Sequence, residues 1–301
     1  MRSRKEYMKG FMQEFDYPQE GIDCLLEAYD KIWANDDAKL LFEQGIEIYE
    51  SRMMWNYEAI RGKMQTVADK VELSVYTVEF LMLIAMSEHM KELYIERGID
   101  LGIYRDSCMD FKAKLFECKK NKGIWGTYVG SWFNRWFDLT RFALGRLQFE
   151  VMYSWGEAEG TYKPVKLGQL VVNMHIPALG PLLEEDCRES FLRAYEFFKH
   201  LFPDGVVPFF CSSWIISPSH ETMLGPDSNL RKFMKFFKLR ASGTTVEKAL
   251  IQYVFGEVDL ADVDSLAEDT SMQRAYKEVL KKGEMPVQGV GVFHIKDGKF
   301  I

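Results

Sequence analysis

Apolar positions recur along this chain with two different periods, and the change falls near residue 141. From Tyr76 to Arg97, Phe80, Leu81, Ile84, Met90, Leu93 and Tyr94 keep close to the 3.6-residue spacing of a helix, with Ser74 as a start signal and Gly98 as a stop. Ser107 and Asp110 have capping-box spacing ahead of Phe111, Leu115 and Phe116, and Gly123 closes that segment. Ile124 to Phe142 predicts a further helix. Its Trp125, Val129, Trp132, Phe133, Trp136, Phe137 and Phe142 form a core-facing stripe, opposite a wet face of Arg135, Asp138 and Arg141.

Beyond residue 141 the period is two. Arg146, Gln148, Glu150 and Met152 alternate with Leu147, Phe149, Val151 and Tyr153; Asn173 and His175 alternate with Val172, Met174 and Ile176. The polar stretch Gly156 to Gly168 suits the connection of a hairpin. Leu183 to Phe202 then predicts a helix, Pro208 to Ile216 a strand, Ser228 to Lys238 a helix and Phe237 to Ala241 a strand. Thr245 to Phe255 and Ser271 to Lys282 predict two more helices, and Val287 to Ile295 a last strand. Between those helices Glu257, Asp259, Asp262, Asp264, Glu268 and Asp269 mark a solvated acidic stretch. The patterns divide the chain into a helical domain over 1–140 and a domain mixing strands and helices over 141–301, an α+β chain as a whole.

Composition narrows the function. With 301 residues and 47% hydrophobic content, the chain can bury two sizeable cores. A net charge of −7 excludes a general nucleic-acid binder, which needs a dominant basic face. The longest apolar run, Phe80 to Met86, is too short to span a bilayer, and Met1 to Phe15 has no signal-peptide core. Cys24, Cys108, Cys118, Cys187 and Cys211 are an odd number at irregular spacing, which points to a reducing, cytoplasmic setting. His89, His175, His200, His220 and His294 form no metal-ligand spacing, so no metal is expected.

The candidate chemistry lies on the alternating strands. Arg146, Gln148, Glu150, Asn173 and His175 can share one sheet face, depending on register, and form a polar pocket with His175 as a general base or hydrogen-bond anchor. The alternative is a solvated face with a satisfied histidine. Cys211 admits two readings, a nucleophile paired with His175 or a small buried hydrophobe. Gly180-Pro181 precedes Glu184, Glu185 and Asp186, acids that suit a helix N-terminus and compete with an incoming phosphate there. A second anion candidate is the helix start at Asp227, Ser228 and Asn229, followed by Arg231 and Lys232.

Leu144-Gly145-Arg146-Leu147-Gln148-Phe149-Glu150, His175-Ile176-Pro177, Gly180-Pro181-Leu182, Cys211-Ser212-Ser213-Trp214 and Pro226-Asp227-Ser228-Asn229 occur in the order found in a bacterial family of acyltransferase-domain proteins. The chain resembles that family over nearly its whole length. The resemblance implies a helical N-terminal domain and a C-terminal domain similar to the GNAT fold, with a mixed, mainly antiparallel sheet flanked by helices. It implies transfer of an acyl group from acyl-CoA, such as acetyl-CoA, to an amine of a small-molecule substrate. CoA would lie where the strand ending at His175 parts from the strand containing Cys211. Glu150 or His175 would take the amine proton, and Ser213 would protonate the leaving thiolate. Arg146, Gln148, Asn173 and Asn229 would orient substrate, while Cys211, Ser212, Gly180, Ser228 and Arg231 would contact the co-substrate. The chain departs from the GNAT pattern at the pyrophosphate turn. It carries Pro177-Ala178-Leu179-Gly180-Pro181-Leu182 where a Gly-rich loop is usual, and Pro181 removes one donor. That departure leaves a second expectation, a non-catalytic protein binding a small metabolite or a peptide on a degenerate GNAT-like fold.

Overall fold

The computed structural model describes residues 3–51, 57–245, 248–256 and 258–301, and they form two compact units, Met1–Phe142 and Ala143–Ile301. In the first unit the helices are α1 (Arg4–Glu14), α2 (Gln19–Trp33), α3 (Asp36–Glu50), α4 (Tyr57–Val71), α5 (Val75–Glu96) and α6 (Leu101–Lys122). Short polar side chains begin them. Ser3, Asn35, Ser74 and Asp100 each accept a backbone N–H of the following first turn. Gly123, at a φ of 72°, supplies the left-handed residue that ends α6. In α5, Phe80 through Met86 are all buried, so apolar residues cover the helix on every side and it runs through the middle of the bundle. No helix among the described residues is long and apolar enough to cross a membrane.

Two expectations for this unit change. The helix expected after the Ser107/Asp110 signal starts earlier, at Leu101, because Asp100 caps it. Asp110 is buried within the helix and accepts the indole N–H of Trp132 at 2.7 Å. The stretch 124–142 is not one helix either. It holds a 3-10 turn at Gly130–Phe133 and the single-turn α7 (Asn134–Phe137). The chain lies against α5 at Gly126, where a Cβ would come within 2.5 Å of the Tyr76 backbone, and Thr127 N–H bonds Tyr76 O. Its rings are nonetheless core, with Phe133 stacked on Phe111 at 4.5 Å. Arg141, expected on the wet face, is buried with its guanidinium 4.1 Å from the Trp132 ring centroid.

The second unit is built on a seven-stranded sheet. In chain order the elements are β1 (Arg141–Ala143), β2 (Gln148–Tyr153), β3 (Leu170–His175), α8 (Glu184–Phe198), β4 (Val206–Ser213), α9 (His220–Met223), α10 (Asn229–Met234), β5 (Lys238–Thr245), α11 (Lys248–Phe255), α12 (Ser271–Lys281), β6 (Val287–Lys296) and β7 (Lys299–Phe300). The sheet order is β1-β2-β3-β4-β6-β5, with β7 on β6. Every recorded pairing between β2 and β7 is antiparallel except that of β3 with β4. The mixed, mainly antiparallel sheet flanked by helices is the expected fold class.

Register sorts the side chains onto two faces. One face carries Phe149, Val172, Phe209 and Phe293 against Phe191 of α8, whose ring lies within 6.2 Å of Phe149 and 4.6 Å of Phe293. The other is covered in part by the β2–β3 connection, which folds back through an Ala158↔Val165 bridge and packs on Phe210, Val290 and Val292. The acidic stretch is solvated as expected apart from Leu266, which is buried with Tyr276. Lys277 ties the stretch down by donating to Asp264 O and Leu266 O. Glu257 and the Val246–Glu247 start of the expected Thr245 helix lie outside the described residues.

Candidate functional site

Two cross-strand pairs assemble the polar cluster. Gln148 faces His175 across the β2–β3 ladder, and Glu150 faces Asn173. Alternation along each strand puts all four on the face opposite Phe149 and Val172. Their burial is deep: Gln148 is 1% exposed, Asn173 4% and Glu150 7%, with His175 half-buried. His175 Nε2 lies 2.7 Å from Glu150 Oε1, and Asn173 Nδ2 donates to the same carboxylate oxygen at 3.4 Å. A carboxylate only accepts, so the short contact assigns the Nε2 proton to His175 and the ring lone pair to Nδ1. With the proton on Nε2, Asn173 Nδ2, 3.1 Å away, is a second donor beside the ring and serves the pair through its bond to the carboxylate. This is the arrangement in which a carboxylate orients an imidazole and stabilises its protonated form.

Gln148 differs from its neighbours. Neither its Oε1 nor its Nε2 finds a hydrogen-bond partner, although both are buried. Leaving a buried polar group unmet costs roughly 1–3 kcal/mol.

The cluster sits where the sheet opens. The parallel ladder of β3 with β4 comprises Val172↔Phe209 and Asn173↔Phe210. Past it, His175 is paired with Gln148, and Cys211, Ser212 and Ser213 with Gly291, Val290 and Gly289 of β6. Ligands of open sheets collect at the carboxyl ends of such parting strands.

The turn after His175 owes its shape to Arg146. The guanidinium donates to Pro177 O at 3.0 Å, Gly180 O at 2.7 Å and Pro181 O at 3.0 Å. In a trans peptide the next N–H points the opposite way, so the amides of Ala178 and Leu182 are turned away from Arg146. Burial among these carbonyls lowers the Arg146 pKa. Gly180 takes a φ of 94° within the turn, a value that glycine adopts at little cost. The α8 helix that follows has no side-chain cap at Leu183.

The other expected residues lie elsewhere. Cys211 alternates onto the phenylalanine face, 1% exposed, and burial pushes its thiol up to about 12. It is on the opposite side of the sheet from His175, so the Cys211–His175 nucleophile pair is excluded and the buried-hydrophobe reading holds. Ser212 shares the His175 face, whereas Ser213 alternates away, and its Oγ accepts the Ile215 N–H at 3.2 Å. Ser228 caps α10 by accepting the Arg231 N–H at 3.3 Å. Arg231 itself donates to Glu221 O and Leu224 O, and Asn229 is exposed on the same helix. That helix packs Phe233 against Phe191, on the far side of the sheet from His175. Trp155 was not among the expected residues. It stands 57% exposed with its ring 5.1 Å from Phe210, the partner of Asn173, and so rims the polar cluster. Its one sequence signal was a tryptophan directly before the polar stretch that starts at Gly156. Among the described residues no cluster of His, Cys, Asp and Glu is arranged to hold a metal.

Residues 141–293 match the GNAT-like C-terminal domain, and residues 6–139 match the N-acyltransferase N-terminal domain. The chain belongs to this family. No curated protein matches it in sequence. Among solved structures, an acyltransferase mutant in complex with octanoyl-CoA is 20% identical, with a TM-score of 0.73 over 98% of this chain and 89% of its own. An acyltransferase in complex with decanoyl-CoA and teicoplanin is also 20% identical, with a TM-score of 0.73 over 97% of this chain and 88% of its own. A third, with decanoyl-CoA, is 16% identical, with a TM-score of 0.61 over 95% and 98%. At these identities the likeness is one of fold, and it extends through both units of this family member.

Proposed function

We propose that the protein is an acyl-CoA-dependent N-acyltransferase that acylates an amine on a small molecule. The observation that carries this reading is the buried Glu150–His175 contact of 2.7 Å at the end where β3 parts from β4. His175 acts as the general base. Glu150 holds its Nε2–H and stabilises the imidazolium that forms, and Asn173 steadies the carboxylate by donating to Oε1. Backbone groups of Cys211 to Ser213 border the thioester. Ser212, on the His175 face, is better placed than Ser213 to touch the co-substrate. Acyl-CoA fits the turn through Arg146, which turns the Ala178 and Leu182 amides outward in place of a Gly-rich loop. A non-catalytic binder on the same fold loses its main support for the same reason, since it rested on the missing glycines. Octanoyl-CoA and decanoyl-CoA in the fold relatives favour a fatty acyl donor. Five unpaired cysteines favour a reducing, cytoplasmic compartment, where acyl-CoA is made.

The test is direct. Acetyl-CoA and octanoyl-CoA at about 100 times their dissociation constants are expected to stabilise the protein by about 2.7 kcal/mol, and transfer to a panel of amines is followed by mass spectrometry. Neither stabilisation nor transfer with any acyl-CoA rejects the function.

A further inference from the structure

Gln148 is a carboxamide with both ends unmet, 1% exposed, in the middle of a polar cluster whose other members are all partnered. It stands directly across the ladder from His175, and such pairs keep their Cβ atoms roughly 5 Å apart on one face. A buried polar group without a partner calls for an explanation, and packing does not supply one, because leucine or methionine fills similar space without an unmet amide. A bound group that offers one donor and one acceptor satisfies both ends.

The reaction under the N-acyltransferase reading, on which this inference rests, presents such a group. The amine nitrogen attacks the thioester carbonyl carbon and forms the C–N bond, and the carbonyl electrons move onto oxygen. One N–H proton passes to His175. The oxygen electrons return, the C–S bond breaks with its electron pair on sulfur, and the proton held by His175 neutralises the thiolate. Amide and free CoA thiol leave. The donor and acceptor sit on either side of the carbonyl carbon, a second N–H on the attacking nitrogen and the charged oxygen.

We propose that Gln148 grips this reacting centre and restricts the acceptor to primary amines. Its Oε1 accepts the N–H that His175 does not remove, and its Nε2 donates to the carbonyl oxygen as negative charge gathers there. A neutral primary amine has two N–H bonds, one for His175 and one for Gln148. A secondary amine or an alcohol has one, and once it serves His175 the Gln148 oxygen is left buried and unmet.

The experiment pairs a primary amine acceptor with its N-methyl analogue, using octanoyl-CoA and the full chain, in wild type, Gln148→Leu, Gln148→Met and Gln148→Glu. Thermal unfolding is recorded for each. Wild type is expected to favour the primary amine by at least roughly tenfold in kcat/KM. Leu and Met lower kcat for the primary amine by about 10²–10³, erase the preference, and leave the melting temperature unchanged or higher. Glu keeps an acceptor but no donor, so it retains the preference while losing rate. Wild-type transfer with an undiminished preference in both Leu and Met overturns the role of Gln148 alone. Wild type that acylates neither amine, nor any of the wider panel, overturns the N-acyltransferase reading and this inference with it.

Discussion

On one side of the C-terminal sheet, Phe149, Phe209 and Phe293 close around Phe191 with no polar side chain among them. On the other, β2 and β3 bury Gln148, Glu150 and Asn173 beside the half-buried His175. Both faces are largely shielded from water, yet by different physics. The aromatic face gains from area removed from water and from ring contacts, and any well-shaped apolar set serves. The polar face gains little from burial and is held by partner geometry, so Glu150, Asn173 and His175 depend on one another while Gln148 is left unmet. Stability and chemistry therefore separate across the thickness of a single sheet.

Substitutions on the two faces therefore act on different observables. Phe191→Ala removes a fully buried ring and is expected to cost about 3–5 kcal/mol, read by denaturant unfolding. On the polar face, His175→Ala is expected to lower kcat by about 10²–10⁴ while the unfolding midpoint moves far less. Equal loss of stability in both variants breaks the comparison.

Acid sharpens it further. His220 and His294 are fully buried, and burial lowers each pKa to about 4. His220 Nε2 meets the Tyr276 hydroxyl at 3.0 Å, whereas neither ring nitrogen of His294 has a partner. Below about pH 6.5 the unfolded chain takes up the proton and the folded chain does not, until about pH 4. Stability is therefore present above pH 6.5 and falls as the pH drops toward 4, by up to about 3 kcal/mol for each histidine. His294→Met is expected to flatten that decline by its share, as measured by melting temperature between pH 4.5 and 7.5. An unchanged slope would sink the attribution to His294.

The smaller effects concern the turn and the thiol. Arg146→Leu releases three carbonyls and is expected to raise the KM for acyl-CoA about tenfold, about 1.4 kcal/mol, with little change in kcat. Cys211→Ala is expected to leave transfer unchanged and to cost about 1 kcal/mol of stability, since the thiol packs in the apolar face. A large loss of rate in that variant would return the cysteine to the chemistry.

Much of the architecture was legible before any coordinates. The apolar residues at helical spacing between Tyr76 and Arg97 mark α5, and the period of two marks β2 and β3, because in each stretch the apolar positions keep one regular period. The 124–142 stretch was not legible. Its aromatics satisfy a helical stripe, but contact with the Tyr76 backbone at Gly126 overrides the local preference. Arg146 was misread for a related reason. Nothing in sequence distinguishes a guanidinium aimed at substrate from one that gathers the carbonyls of a turn more than thirty positions later.

By itself the sequence determined which residues of each strand lie together, since alternation fixes Gln148 with Glu150 and Asn173 with His175 whatever surrounds them. It also determined that Cys211 and Ser213 face one way and Ser212 the other. Only tertiary structure decided that the two polar pairs meet, because ladder register depends on how the β2–β3 connection folds back, and a slip of one residue would have turned His175 toward the phenylalanines.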